Sequence, residues 1–240
     1  MLTRLLASAL FAGLAAGLIA TALQFAFVQP VLLEAEKYES GELTHFAAKA
    51  GVAGEAEHDH DSHDHSAAFT GDGIDFRRDG QTTLFNIFVY AGYGLLLAAA
   101  FGFAETRGIT ITARTGILWG LAGFIAVQFA PAIGLAPELP GSAAADVDLR
   151  QYWWAGTVIA TSFGLWLLAF GKGWAYWAAA IVLFTLPHVI GAPGPAEFAG
   201  PTPPELAAEF ATRALGVGMI AWVVLGLSAA HFWAKDAEVT

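Results

Sequence analysis

Apolar residues run along this chain in six long blocks parted by short polar joints, at roughly 5–28, 83–104, 113–135, 152–170, 174–191 and 212–233. An α-helix rises 1.5 Å per residue and the hydrocarbon core of a bilayer is about 30 Å thick, so about 20 apolar residues make one crossing. The pattern predicts an all-α integral membrane protein with about six transmembrane helices. The fourth and fifth blocks are the shortest, and form either two crossings or one helical hairpin turning at "GKG", residues 171–173. The first block has the look of a secretory signal, with Arg4 ahead of it and "ASA" inside it. Its apolar run continues far past the usual limit of about 15 residues, so a retained helix is expected.

Composition agrees with that pattern: 56% of residues are hydrophobic, 13% are charged, and the mean hydropathy is +0.57. Cysteine is absent. Disulfides, thiolate metal sites, iron-sulfur clusters and cysteine nucleophiles are thereby excluded, and any transition-metal chemistry must use imidazole and oxygen ligands. If the blocks alternate in direction, Arg4, Arg107, Arg114, Lys172 and Lys235 share one side, expected to be cytoplasmic together with both termini. The opposite side carries eighteen of the twenty-one acidic residues against six basic ones, Lys37, Lys49, Arg77, Arg78, Arg150 and Arg213. Such a surface attracts cations and repels nucleic acid. The expected organisation is a first transmembrane helix over 1–30, a periplasmic loop over 31–81, and a five-helix region over 82–240.

That loop holds the most unusual stretch, "EHDHDSHDHS", with four histidines and three aspartates between His58 and His65. His58, Asp59, His60, Asp61, His63, Asp64 and His65 are candidate metal ligands, since neutral imidazole and carboxylate suit divalent cobalt, nickel, zinc or copper. The flanks "AAKAGVAGEAE" and "SAAFTGDG" offer too little apolar surface to fold alone, so a long flexible loop is expected. "LLEAEKYE" before it would extend the first helix beyond the membrane. The plainer reading is a solvated polar loop whose histidines happen to cluster.

Polar residues within the blocks fall toward the same side. Gln24, Gln29-Pro30, Gln128, Pro131 and Pro187-His188 lie near outward ends, and Asn86, Gln151 and Arg213 enter other spans from that side. Polar groups in hydrocarbon need partners or water, and proline frees backbone carbonyls that can act as ligands, so an outer-leaflet polar basket is expected. Taken singly, each residue reads as a helix-helix hydrogen bond or an interfacial anchor. The inner half offers Glu105 and His231 near the boundary and no continuous polar path, so passage of an ion needs a conformational change or a second subunit. Gly13 with Gly17, and Gly116 with Gly120, have the small-xxx-small spacing of close helix contacts. Trp153, Trp154, Trp174, Trp177 and Trp233 lie near span ends, as an interfacial belt does. GxxxxGK[ST], HExxH, GxSxG and a strand-linked GxGxxG are all missing, so neither an enzyme nor an organic cofactor is expected.

"LQFAFVQPVLLEAEKYE", "GILWGLAGFIAVQFAPAIGLAPELPG", "RQYWWAGT" and "LPHVIGAP" occur in this order along the chain. Together they resemble the CbtA-type predicted cobalt transporter subunit family, in which the His-rich run also falls in an external loop. Ala136 stands where the family pattern has a second proline, a change that bears on loop stiffness. The resemblance implies a bacterial inner-membrane subunit supplying cobalt for cobalamin synthesis, with a small single-span, histidine-bearing partner of the CbtB type. Its segments point to Gln24, Gln29, Glu34 and Glu36, to Gln128 and Glu138, to Arg150 and Gln151, and to His188. The expected function is capture of a divalent transition metal, cobalt with nickel or zinc as alternatives, by the loop and delivery to an outer-leaflet site. The alternative is a membrane-anchored metal sensor or chaperone subunit that does not itself transport.

Overall fold

The computed structural model of the chain describes residues 2–44 and 76–237. Those residues form helices only: α1 (Leu2–Glu39), α2 (Phe76–Glu105), α3 (Ala113–Ala132), α4 (Val147–Phe170), α5 (Trp174–Ile190) and α6 (Pro204–Ala237). Five are long and apolar enough to cross a membrane, and α5, at 17 residues, is a shorter apolar helix. Local chemistry sets several boundaries. Thr112 and Thr115 make a reciprocal capping box at the start of α3, and the Asp146 carboxylate accepts from the Asp148 and Leu149 amides to open α4. Residues 171–173, the turn of the hairpin alternative, join α4 to α5: Gly173, at φ +104°, sits in a backbone region that favours glycine and reverses the chain into α5.

Successive helices run in opposite directions, which sorts the joints onto two faces. One face gathers Arg4, Glu105, Trp233 and the 171–173 turn, and is called the Arg4 end. The other gathers the end of α1, the joints either side of the α4–α5 hairpin, and the start of α6, and is called the loop end. There Val31, Ala35, Leu139 and Leu206 form a small buried cluster, and the Ala143 amide donates to the Ala199 carbonyl at 2.8 Å. Helix α1 does not stop at the apolar boundary near Val28 but continues to Glu39, the extension that "LLEAEKYE" predicts. At 1.5 Å per residue its 38 residues span about 57 Å, roughly twice a bilayer core, so its last turns stand clear of the membrane and carry this cluster.

The core is a four-helix bundle of α1, α2, α3 and α6, with α4 and α5 paired beside it and joined to it mainly through α3. Small residues allow the closest contacts, because association within lipid rests on packing instead of a hydrophobic drive. A Cβ at Gly17 would stand 2.6 Å from the Ile87 Cα, and one at Gly120 would run into the Trp222 carbonyl oxygen. Gly226 completes the α3–α6 contact from the opposite side, against Gly116 and Gly120. Large apolar side chains such as Leu10, Phe88, Leu118 and Ile159 face outward, where lipid replaces the missing partners. Trp174 and Trp177 are exposed near a span end, as a belt requires, but Trp233 is fully buried within the bundle.

Candidate functional site

Two helices are locally unwound at the loop end. Gln24–Val28 in α1 and Ile125–Phe129 in α3 are single π-helical turns, and in each case a proline follows two residues later, Pro30 and Pro131. A proline withholds the amide that would bond the carbonyl four residues back, and π-turns recur where a helix is adapted to function. For Pro131 that carbonyl belongs to Val127, which instead accepts the Trp154 indole N–H at 3.2 Å. In α1 the Phe27 carbonyl accepts from the Arg213 guanidinium at 3.0 Å, and Arg213 also pairs with Glu209. A side chain from α4 thus satisfies the carbonyl that Pro131 leaves open in α3, and one from α6 bonds the π-turn of α1.

Beside the α3 turn lies a cavity of about 540 Å³ whose lining includes Gln128, Pro131, Glu138, Arg150, Gln151 and Trp154. Glu138, in the joint after α3, pairs with Arg150 on the first turn of α4 at 2.8 Å. The Gln128 side chain lies against Gly218, where a Cβ would collide with its amide oxygen. That Oε1 is buried and has no hydrogen-bond partner among the described residues. A buried acceptor without a donor carries an uncompensated desolvation cost, which a bound cation or water would relieve. Glu138, Gln128 and Gln151 give the lining one carboxylate and two carboxamides, oxygen donors of the kind that suit hard divalent cations.

The other expected residues are distributed differently. Gln24 and Thr21 share the Asn86 amide, whose Nδ2 donates at 3.0 and 3.1 Å, in a cluster between α1 and α2. Gln29 is half-buried just beyond the π-turn, while Glu34 is exposed and Glu36 half-buried on the extension of α1. His188 occupies the last turn of α5, half-buried and edge-on to Trp153 at 5.9 Å between ring centroids. Trp153 donates to the Pro187 carbonyl at 3.1 Å, and His188 does not line the cavity. His58, Asp59, His60, Asp61, His63, Asp64 and His65 lie outside the described residues. Among the described residues no three His, Cys, Asp or Glu side chains are close enough to hold a metal ion.

Sequence reasoning missed Trp154 as a carbonyl cap, Arg150 as the partner of Glu138, and Gly218 as the floor beneath Gln128. The second had a signal: opposite charges twelve residues apart flank the joint between two antiparallel helices. The Arg4 end also holds an unanticipated clamp. Arg4 makes two bonds to the Glu105 carboxylate at 2.9 and 3.1 Å, donates to the Trp233 carbonyl at 2.8 Å, and stacks over the Trp233 ring at 4.1 Å. The Trp233 indole donates to Glu105 at 2.8 Å, so three helices are tied in one network.

A bundle of apolar, membrane-length helices with unwound turns and a polar cavity near one end defines a multi-pass helical membrane protein. The family model described as "Probable cobalt transporter subunit (CbtA)" matches residues 2–234. The chain belongs to this family of cobalt transporter subunits, a class of membrane carrier component and not an enzyme class, and a subunit works within a complex. No curated protein and no solved structure matches it.

Proposed function

We propose that the loop end faces the periplasm of a bacterial inner membrane, with both termini cytoplasmic, and that the cavity beside Gln128 is where a divalent metal enters the bundle. His58, His60, His63 and His65, with Asp59, Asp61 and Asp64, collect the metal; Gln128, Glu138 and Gln151 receive it. The buried, unpartnered oxygen of Gln128, a residue that lines the cavity, is the observation that carries this reading, because a buried acceptor without a donor costs stability that a ligand would offset. Arg150 pairs with Glu138, and an arriving cation takes the place of the guanidinium. Gln24 and His188 lie outside the cavity lining and have supporting roles in this reading. Cobalt, named by the family, is the substrate, with nickel or zinc within reach of the same ligands. A small single-span, histidine-bearing partner of the CbtB type and a link to cobalamin synthesis complete the proposal.

A second reading, a sensor or chaperone subunit that binds metal without passing it, draws on the tied Arg4 end, where the described residues offer no polar route onward. Equilibrium dialysis of cobalt against the purified full-length protein tests the site itself. Gln128→Leu and Glu138→Gln are each expected to remove one bound metal while the loop still binds. Unchanged stoichiometry and affinity in both variants would refute the cavity as the receiving site.

A further inference from the structure

A second cavity, of about 630 Å³, lies between α2, α3, α4 and α6, with Tyr93, Leu96, Trp119, Ala126, Trp166 and Trp222 among its walls. No charged residue lines it; its polar side chains are the hydroxyls of Tyr93, Thr110, Thr115 and Ser162 and the Trp indoles. It has no set of oxygen or imidazole ligands for a cation, so it is no part of a metal route. A transmembrane helix, about 10 Å across, would use up this volume within about two turns, whereas a slender hydrocarbon chain can run along it.

The cavity reaches the Arg4 end, where Ile109, Thr110 and Thr115 contribute to it, and two cations stand at that edge. The Arg107 guanidinium carbon lies 4.9 Å over the Phe103 ring, and that ring is 5.1 Å from Trp166 in the cavity wall. Arg114 is exposed on the first turn of α3, next to Thr115. Neither arginine has an ion pair among the described residues, in contrast to Arg4. An apolar slot with basic residues at the membrane surface is the arrangement that holds an anionic headgroup while an acyl chain fills the space behind it.

The geometry points to a binding site for an anionic phospholipid, with its acyl chain in this cavity and its headgroup on Arg107 and Arg114. The site is independent of the metal reading and of which face is cytoplasmic. The test uses purified full-length protein in nanodiscs of equal mole fractions of phosphatidylglycerol and phosphatidylcholine, with retained lipid read by native mass spectrometry. Wild type should retain the anionic lipid over the neutral one by about 25-fold, at about five-fold per basic residue. Arg107→Gln with Arg114→Gln should abolish the preference, while Lys235→Gln, which removes one charge at the same face from a residue that does not line the slot, should keep it. Ala100→Phe with Ala122→Phe, which fills the cavity, should lower retention of both lipids. Equal retention by wild type, an equal loss with Lys235→Gln, or unchanged retention in the filled variant would each overturn the proposal. So would release of a co-purified single-span chain by the filled variant with lipid unaffected, because the occupant would then be a protein helix.

Discussion

The two ends of this bundle are built from the same helices and behave as opposites. At the Arg4 end, α1, α2 and α6 meet in a closed network in which Glu105 takes three donors and Trp233 is buried beneath a guanidinium. At the loop end, two π-turns followed by prolines loosen α1 and α3, distant side chains bond carbonyls in both turns, and the Gln128 Oε1 is left unsatisfied. One end spends its polar groups on each other; the other leaves acceptors without donors among the described residues, Gln128 Oε1 and Asp79 Oδ1. The difference teaches where such a protein can take up a cation without dismantling its core: in the half where backbone and side-chain acceptors are not already committed.

The severest way to break the comparison is to remove the contact both halves share. Gly120→Leu should drive a side chain into the Trp222 carbonyl and separate α3 from α6, costing at least about 3 kcal/mol and abolishing a monodisperse size-exclusion peak. A well-folded variant would show that the α3–α6 contact is not what holds the two ends together. The Arg4 end comes next. Arg4→Gln or Glu105→Gln should lower stability by about 1–2 kcal/mol, a partly exposed pair being worth less than a buried one, and a thermal melt in detergent should show it. Cobalt binding at the loop end should be unchanged, and a loss of binding would mean the ends are not separate.

Replacing His58, His60, His63 and His65 together by Ala should leave the melt untouched and reduce uptake at limiting metal, with normal uptake at saturation. Acidification through about pH 6.5 should mimic that defect in the wild type, because protonated imidazole gives up the metal. Uptake at scarce metal that ignores both changes would remove the loop as collector. The smallest expected effect sharpens the meaning of an unpartnered group. Thr161 is buried on α4 with a hydroxyl that has no partner among the described residues, yet it lies outside the polar cavity. Thr161→Val should be neutral or stabilising by about 1 kcal/mol or less in the same melt, with cobalt binding intact. A clear loss of metal binding would show that the cavity is not the site that matters.

Much of the scaffold was legible from the pattern of apolar blocks, since a bilayer fixes helix length and leaves few alternatives. The turn at 171–173 and the extension of α1 followed from glycine and from charge reappearing at Glu34. The small-residue pairs Gly13 with Gly17 and Gly116 with Gly120 correctly announced interfaces, although spacing within one helix could not name Gly226 as the partner. The polar basket was legible only as a depth. Depth along a helix is read from distance to its end, but azimuth depends on packing, and a π-turn shifts azimuth in a way that Pro30 and Pro131 merely hint at. Gln24 therefore turns to Asn86 and Gln128 to Gly218, and His188 stands behind Trp153. The clamp was hidden for a related reason: Arg4, Glu105 and Trp233 were each placed near one boundary, and nothing in sequence distinguishes neighbours at a boundary from residues on opposite sides of the bundle.

The central claim, that metal enters through the Gln128 cavity, is tested most directly by cobalt influx into proteoliposomes holding the full-length chain with its partner subunit. Glu138→Gln and Gln128→Leu should each lower influx at saturating cobalt by about ten-fold, the scale of losing one contributor to a metal site. Thr161→Val, another change to a buried polar group in the spans, should match the wild type. Wild-type influx through both cavity variants, at folded-protein levels equal to the wild type, would contradict the account.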